Sequence, residues 1–417
     1  MLTLFIFKSS SRGTQYGIGT YIRELTSALQ NHGNINIFQV AYKNSECNEL
    51  KIIKESERLT NILIPGTINF SPKITDPEIK YASSVVKILS DFIPTNEQVV
   101  FQLNYFEELF IAKALKQKYS YPIVCVVHLA QYQQLFNGNK NKLIGLNIHK
   151  ALTQSESTLN KEMEFYSIAD HIVSVTRYMK EFLISYYNIE SSKISIVPNG
   201  LKMKTDHNCN EKDKLRLRGL FGFRNEDYII LYVGRIDACK GLAFLAQAFQ
   251  LACRKRKDLK LILIGQGNID DFQSQFNTDF GRIVLTGFLK KELVEQFYSI
   301  ADIGVVPSIF DHCPYTVLEM IANRIPLIMS RIDGLDEMLD DTNCLFVDAH
   351  IDQQGNVTIP AEILSEKIIQ IIEDKKLRAE FSQNAYLQLT EKFLANQMAE
   401  KMFNLYKSLI SGKNKNL

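Results

Sequence analysis

The chain has 417 residues, enough for two or three domains, and its 48 basic and 46 acidic side chains leave a formal net charge of only +2. This balance excludes a global electrostatic field that would attract nucleic acid or an anionic membrane. The seven cysteines are scattered and never spaced as C-x-x-C, which argues against a structural zinc site and predicts a cytoplasmic protein.

Short β-branched runs alternate with amphipathic helical stretches along the chain, a pattern typical of parallel sheets covered by helices. The first half has predicted strands at 2–7, 35–40, 99–103, 123–128, 171–175 and 194–198. Helices are predicted from Thr20 to Gln30 and from Tyr178 to Tyr187. The N-terminal apolar run has no basic segment before it, so it indicates a first strand instead of a signal peptide.

The second half repeats the α/β pattern, with predicted strands at 229–234, 259–265, 283–287, 303–307 and 326–330. Residues 198–216 are polar and predict an interdomain linker, with the boundary near Gly200. We therefore expect domains at 1–200 and 201–388, and a C-terminal helix at 389–417 that packs back on the N-terminal domain. No stretch approaches the roughly 18 apolar residues of a membrane helix, so membrane association is expected to be at most peripheral.

The first candidate site is Gly17-Ile18-Gly19, in a polar loop between the first strand and the first helix. Glycines there let backbone N–H groups approach a phosphate at a helix N-terminus. A simple strand-to-helix turn is the alternative interpretation. A nicotinamide enzyme is disfavoured, because Ile22 stands where a third glycine would be and no acidic residue ends the second strand.

The second candidate is VGRIDACKG at 233–241, which follows a predicted strand and carries Arg235 and Lys240. In an open parallel sheet, ligands bind at the carboxyl ends of the strands. Two cations beside a helix N-terminus suit a diphosphate, because Arg forks two oxygens and Lys acts as a point charge. Both could instead be solvated surface charges.

The third candidate is PSIFDHCPYTVLEM at 307–320, in which Asp311 follows a strand and Glu319 is placed in the first turn of a helix. Thr316-x-x-Glu319 also matches a capping box, and a capping Glu can still present an oxygen to a ribose hydroxyl. For Asp311 the alternative is an Asx turn. The fourth candidate is His128, at the end of a predicted strand, which alone could equally be structural.

Six segments, in order and at suitable spacing, resemble the glycosyltransferases of family 4. They are ADHIVSVTRYMKEFL (169–183), KISIVPNGL (193–201), ILYVGRIDACKG (230–241), ADIGVVPS (301–308), DHCPYTVLE (311–319) and IDGLDEML (332–339). The resemblance covers nearly the whole chain and implies the GT-B fold, which has two facing Rossmann-like domains. It also implies a retaining, metal-independent transfer of a hexosyl group from a UDP- or GDP-linked sugar, with no further cofactor.

The resemblance also implies roles for the candidate residues. Glu319 would hold the ribose, Arg235 and Lys240 would neutralise the departing diphosphate, and His128 would lie near the sugar hydroxyls. The sugar would bind to Asp311 and to the backbone of the five residues after it, which are His312, Cys313, Pro314, Tyr315 and Thr316. Gly17 and Gly19 would cover the diphosphate from the N-terminal domain, which would also bind the acceptor.

The sequence departs from the family pattern around the sugar. Asp311 replaces the usual Glu, His-Cys-Pro replaces the commoner Pro-Phe-Gly, and Asp333-Gly334 replaces a glycine pair. We expect these changes to affect the donor sugar more than the activity. The acceptor is expected to be a surface polysaccharide or a lipid-linked glycan precursor, with a peptide as another possibility.

Two other functions stay open at this point. One is a non-catalytic scaffold that binds a nucleotide sugar, since a fold does not fix a function. The other is a phosphorylase or a synthase that makes a sugar phosphate, which would need cations near His128. The nearest that the sequence offers are Arg12 and Lys140.

Overall fold

The computed structural model describes residues 1–9, 17–66, 76–94, 98–144, 146, 153–203, 211–268 and 280–412. The chain divides into two compact units. The first unit combines Met1–Gln131, Leu146–Lys202 and Leu394–Leu417, and the second combines Tyr132–Gly145 and Met203–Phe393. Each unit is built around its own sheet, so the α/β fold class predicted from the sequence is confirmed.

The first unit contains an eight-stranded sheet in the order β3-β4-β2-β1-β5-β6-β7-β8. The strands are β1 (Leu2–Ser9), β2 (Ile35–Asn44), β3 (Lys51–Lys54), β4 (Leu59–Pro65), β5 (Gln98–Leu103), β6 (Ile123–Val127), β7 (His171–Ser174) and β8 (Ile194–Ile196). All neighbours pair in parallel except β3, which is antiparallel to β4. β6 is buried along its whole length, as expected for a parallel strand that is covered on both faces.

Helices of the first unit connect these strands. They are α1 (Gly17–Leu29), α2 (Pro77–Leu89), α3 (Leu109–Lys118), α5 (Gln154–Ile168), α6 (Arg177–Tyr187) and α13 (Ala395–Ile410), while α4 (Gln131–Phe136) begins at the last residue before the second unit. α13 packs against α1 and β5 within this unit. The hydroxyl of Tyr406 on α13 donates a buried hydrogen bond to Gln102 Oε1 on β5. The C-terminal helix, expected at 389–417, therefore packs within the first unit, but it begins only at Ala395, and residues 389–393 belong to the second unit.

The second unit contains a six-stranded parallel sheet in the order β11-β10-β9-β12-β13-β14. The strands are β9 (Tyr228–Val233), β10 (Leu259–Ile264), β11 (Ile283–Gly287), β12 (Ile303–Val306), β13 (Leu327–Arg331) and β14 (Leu345–Asp348). Counted within the unit, this order is 3-2-1-4-5-6, the doubly wound arrangement of dinucleotide-binding sheets. The strand order reverses between β9 and β12, which is where such sheets bind ligands.

The helices of the second unit are α7 (Glu211–Leu220), α8 (Leu242–Lys255), α9 (Lys291–Ile300), α10 (Tyr315–Ala322), α11 (Ala361–Glu373) and α12 (Lys375–Lys392). A two-stranded antiparallel hairpin of β15 (His350–Ile351) and β16 (Val357–Thr358) completes it. Across the described ranges, no helix combines the length and the apolarity needed to cross a bilayer.

The structure corrects two expectations about chain organisation. Residues 132–145 were expected in the N-terminal domain, but they are part of the second unit because their contacts are with its loops. The predicted linker ends earlier than expected, because residues 211–216 already form the start of α7. Arg218 on this polar helix is buried and donates to Ile300 O at 2.9 Å and to Asp302 Oδ2 at 2.7 Å, which explains why an apolar stripe was not needed.

Candidate donor site

The candidate site of the second unit begins where β9 ends. Arg235 lies two residues beyond the strand, and its Nη1 is 3.1 Å from Asp237 Oδ2. The buried hydroxyl of Tyr232 donates to the backbone oxygen of Arg235 at 2.6 Å, and this hydrogen bond holds the loop after β9 in place. The Arg235 side chain stays 37% exposed, so its guanidinium is held in place yet reaches solvent.

Lys240 lies in a 3-10 turn that leads into α8 through Gly241. Gly241 has φ +68°, and a Cβ there would lie 1.8 Å from the carbonyl oxygen of Pro307. The loop after β9 can therefore approach the loop after β12 only because this residue is glycine. The close approach brings Lys240 Nζ within 2.5 Å of Asp311 Oδ2.

The Lys240–Asp311 pair is mostly buried, with 16% of each side chain exposed. Burial acts to lower the pKa of Lys240, but the charge and hydrogen bond of Asp311 outweigh it and raise that pKa above its ordinary value. Lys240 is therefore a cation at neutral pH. Asp311 also accepts at 3.1 Å from the N–H of His312 and lies 3.4 Å from the Ser308 hydroxyl.

The segment after Asp311 leads into the N-terminus of α10. Cys313 has φ +49°, an unusual backbone conformation for a residue with a side chain. Pro314 is the N-cap of α10 and makes no side-chain cap bond. The first N–H groups of a helix have no acceptor within the helix, so the backbone of Tyr315 and Thr316 lies at the partly positive end of α10.

Glu319 lies in the second turn of α10, not in its first turn as expected. The predicted capping box with Thr316 is wrong, because α10 begins at Tyr315 and Thr316 is already inside the helix. Instead, Glu319 Oε2 accepts a hydrogen bond of 2.9 Å from the buried hydroxyl of Tyr298 on α9. Lys291 Nζ, also on α9, is 3.9 Å from Glu319 Oε1.

In the first unit, His128 lies one residue beyond β6. Burial alone lowers the pKa of His128 to about 3, so its imidazole is neutral at physiological pH. Its ring packs edge-on against Tyr21 of α1, with 4.7 Å between the ring centroids. Its Nε2 is buried without a hydrogen-bond partner among the described residues. A neutral, unsatisfied ring nitrogen can bind a hydroxyl group.

Gly17 and Gly19 lie within α1 and not in a loop before it. α1 begins at Gly17, because buried Ile18, Tyr21 and Ile22 extend the apolar stripe of the helix to its first turn. A Cβ at Gly17 would meet no atom of the described residues within 4 Å. Arg12, one of the two cations named for an acceptor phosphate near His128, lies outside the described residues.

The structure therefore brings Arg235, Lys240, Asp311 and Glu319 to the loops and helices that follow β9 and β12. Sequence reasoning missed Tyr298, which orients Glu319 from another helix, and Gln133, whose Oε1 is 2.9 Å from His312 Nε2. Neither Tyr298 nor Gln133 belongs to one of the sequence motifs described above. In the part of the chain that is described, no group of three or more His, Cys, Asp or Glu side chains could hold a metal ion.

Among curated proteins, an uncharacterized glycosyltransferase of Methanocaldococcus jannaschii is 24% identical over 263 residues, which are 61% of this chain and 65% of that protein. The Escherichia coli UDP-Gal:alpha-D-GlcNAc-diphosphoundecaprenol alpha-1,3-galactosyltransferase is 21% identical over 300 residues, or 70% of this chain and 71% of that protein. The chain thus spans slightly less than two thirds of the first relative's length.

Two solved structures share the fold at low sequence identity. Sucrose-phosphate synthase from Thermosynechococcus elongatus matches with a TM-score of 0.77 and 18% identity, covering 99% of this chain and 100% of that one. Anabaena HepE in complex with UDP-glucose matches with a TM-score of 0.71 and 15% identity, covering 97% and 99% of the two chains. At these identities the likeness shows the fold alone.

Two family models match consecutive parts of the sequence. Residues 16–204 match Glycosyltransferase Family 4, and residues 213–388 match Glycosyl transferases group 1. The two matches follow one another in the order of the two halves that the sequence predicted. With the doubly wound sheets and the cations at the switch point of the second one, these matches show that the chain belongs to the family 4 glycosyltransferases of GT-B fold.

Proposed function

We propose that this protein transfers a hexosyl group from a UDP- or GDP-linked sugar to an acceptor hydroxyl, with retention and without a metal ion. The observation that carries the proposal is the Lys240–Asp311 pair at the switch point of the second sheet, next to Arg235. Together with Glu319, these residues offer two cations for a diphosphate and a carboxylate for a ribose.

The electrostatics of the site support a role in departure of the diphosphate. A hydrogen-bonded, mostly buried lysine loses little entropy when it binds an anion, because Asp311 already holds it in place. At an effective dielectric constant of 20, one unit charge 4 Å from another contributes about 4 kcal/mol. Arg235, Lys240 and the N-termini of α8 and α10 could in this way stabilise developing negative charge that a metal ion neutralises in other transferases.

A retaining transfer in this site would proceed through front-face attack with an oxocarbenium-like transition state. The acceptor hydroxyl and the leaving diphosphate would lie on the same face of the sugar, so no carboxylate nucleophile is needed. His128, being neutral, would donate or accept a hydrogen bond at a sugar hydroxyl without adding charge. Asp311 and the backbone from His312 to Thr316 would bind the rest of the sugar.

The acceptor is proposed from the relatives' names and from the sequence. The Escherichia coli relative is named for transfer from UDP-Gal to a sugar on diphosphoundecaprenol. We accordingly propose a lipid-linked glycan precursor or a surface polysaccharide as the acceptor, with a peptide as the alternative. A cytoplasmic location is proposed from the scattered cysteines, and any membrane association would be peripheral.

The two alternative functions find less support. A non-catalytic scaffold that binds a nucleotide sugar would use the same Arg235, Lys240 and Glu319, but the curated relatives are named as transferases, which favours a catalytic role. A sugar-phosphate synthase would need a cation for the acceptor's phosphate. Of the two candidates, Arg12 lies outside the described residues, and Lys140 belongs to the second unit, whereas His128 belongs to the first.

The donor site can be tested by saturation-transfer NMR with UDP, GDP, ADP and their common sugar conjugates. We expect selective binding of one nucleotide, and binding that is weakened but still measurable in both Arg235→Ala and Glu319→Ala. Arg216→Ala is a matched control, because Arg216 is 67% exposed and its pair with Asp213 contributes little. If no nucleotide binds, or if both variants bind like the control, the assignment of the donor site is wrong.

A further inference from the structure

A segment from the first half of the chain forms part of the candidate donor site's surroundings. Residues 132–144, which we call the bracing segment, belong to the second compact unit. Gln133 in this segment is 2% exposed and lies 2.9 Å from His312 Nε2 through its Oε1. His312 is the residue immediately after Asp311, so the contact reaches the sugar-binding loop directly.

The bracing segment is itself held firmly at its other end. Asn139 is 1% exposed, and its Nδ2 donates to Gln354 O at 2.8 Å and lies 3.2 Å from Asn356 Oδ1. Lys140 Nζ lies 3.0 Å from Asp333 Oδ2. The segment therefore contacts the β15–β16 hairpin and the loop of Asp333 as well as His312, and it can act as a fixed support.

The loop from Asp311 to Pro314, which the bracing segment contacts through His312, contains an unfavourable backbone conformation. Cys313 has φ +49°, and a residue with a Cβ persists in this region only when its surroundings determine the conformation. His312, the residue before Cys313, anchors the loop through its side chain. Its ring lies so close to Gly334 that a Cβ at that position would be 2.3 Å from His312 Nδ1.

The contact with Gln133 defines which nitrogen of the His312 imidazole carries the proton. Burial lowers the pKa of His312 to about 4, so the imidazole is neutral at physiological pH. An amide oxygen only accepts hydrogen bonds, so the ring nitrogen that faces Gln133 Oε1 carries the proton. The neutral ring then leaves Nδ1 unprotonated. A buried imidazole without such an acceptor would lose a hydrogen bond that water cannot replace.

We propose that Gln133 is a positioning residue for donor-sugar selection, which acts by holding His312 and through it the loop from Asp311 to Pro314. The inference rests on the proposed function and extends it, because this loop differs from the family pattern where the sugar is expected to bind. Gln133 would not contact the nucleotide, whose proposed partners are Arg235, Lys240 and Glu319.

The proposal separates sugar recognition from nucleotide recognition, and titration calorimetry on the full-length protein can measure both. We expect Gln133→Leu to weaken binding of the preferred nucleotide sugar about tenfold, while binding of the free nucleotide changes less than twofold. Gln133→Glu keeps an acceptor oxygen opposite His312 and should keep most of the wild-type affinity for the nucleotide sugar. Gln388→Leu is a matched control, because Gln388 also bonds within the second unit, to Met338 O at 2.6 Å.

Equal weakening of free nucleotide and nucleotide sugar in Gln133→Leu would overturn the proposal, because it would indicate a general structural defect. Unchanged binding of both ligands would overturn it as well. Retained nucleotide binding in the variant also demonstrates that it is folded.

A second measurement does not depend on donor binding. In ¹⁵N-labelled protein, the imidazole of His312 should be the Nε2-protonated tautomer, and Gln133→Leu should shift its ring resonances and speed exchange of its ring N–H. If the wild-type protein binds no nucleotide sugar while this change occurs, the proposed function fails and the contact stands. If the His312 resonances of the two proteins are the same, the positioning role of Gln133 is refuted.

Discussion

The hydroxyl of Tyr298 offers a sharp test of how Glu319 is positioned. This hydroxyl is buried and donates to Glu319 Oε2 at 2.9 Å, and Tyr298→Phe removes it while keeping the ring. A hydrogen bond to a charged group contributes about 1.5–3 kcal/mol. Because 20% of the Glu319 side chain is exposed, water can replace part of that bond. We expect a loss of about 1–1.5 kcal/mol in nucleotide binding, or roughly five- to twelvefold in Kd.

The assay is a double-mutant cycle by titration calorimetry with the nucleotide that the wild-type protein selects. Tyr298→Phe should weaken binding in the wild-type background and have almost no effect in Glu319→Ala, since its target carboxylate is then absent. Tyr81→Phe is the control, because it removes a hydroxyl that donates to Pro65 O at 2.9 Å in the first unit. Equal effects of Tyr298→Phe in both backgrounds would refute the reasoning.

Two further predictions concern stability. Gly241→Ala should lower the free energy of unfolding by several kcal/mol, roughly the cost of overpacking and backbone strain combined, because its Cβ would lie 1.8 Å from Pro307 O at φ +68°. Gly219→Ala lies in a helix where its Cβ would meet no described atom within 4 Å, so it should be neutral or stabilising. Urea titration measures both variants, and a similar loss in both would contradict this. Burial raises the pKa of Glu162 to about 8, despite hydrogen bonds from Tyr187 and Gln131. Its folded form therefore holds a proton that its unfolded form loses above about pH 4.5, so stability falls as pH rises from 4.5 to 8, by up to about 1.4 kcal/mol per pH unit. The difference in Tm between wild type and Glu162→Gln should shrink over this range, and a constant difference would rule out the raised pKa.

Most of the apolar, buried strands could be predicted from the sequence, but β4 and β14 were missed. β6 and β12 are buried along their whole length, so their sequences are uninterrupted apolar runs. The strand β3 was missed because all four of its residues are exposed, which leaves neither an apolar run nor an alternation. The helical start of α7 was missed for a similar reason, since Arg218 supplies its buried contact in place of an apolar side chain.

The candidate site could be predicted as far as topology brings motifs together. Arg235 and Asp311 follow adjacent parallel strands, so their meeting at one sheet edge follows from the α/β pattern. Tyr298 and Gln133 act across 21 and 179 residues of sequence and belong to no motif. Their contacts depend on how helices pack and on where a loop folds back, and neither is encoded in a local pattern.

The path of the chain has a practical consequence for exchanging parts between related transferases. Residues 132–144 precede the main body of the second unit by some 60 positions, yet they pack against its loops. A chimera cut once near residue 202 would join the bracing segment of one parent to the His312 loop of the other. Gln133 and His312 would then come from different proteins, and donor preference could change without any substitution in the transplanted half. Recombination that moves 132–144 together with 203–393 keeps this pair intact.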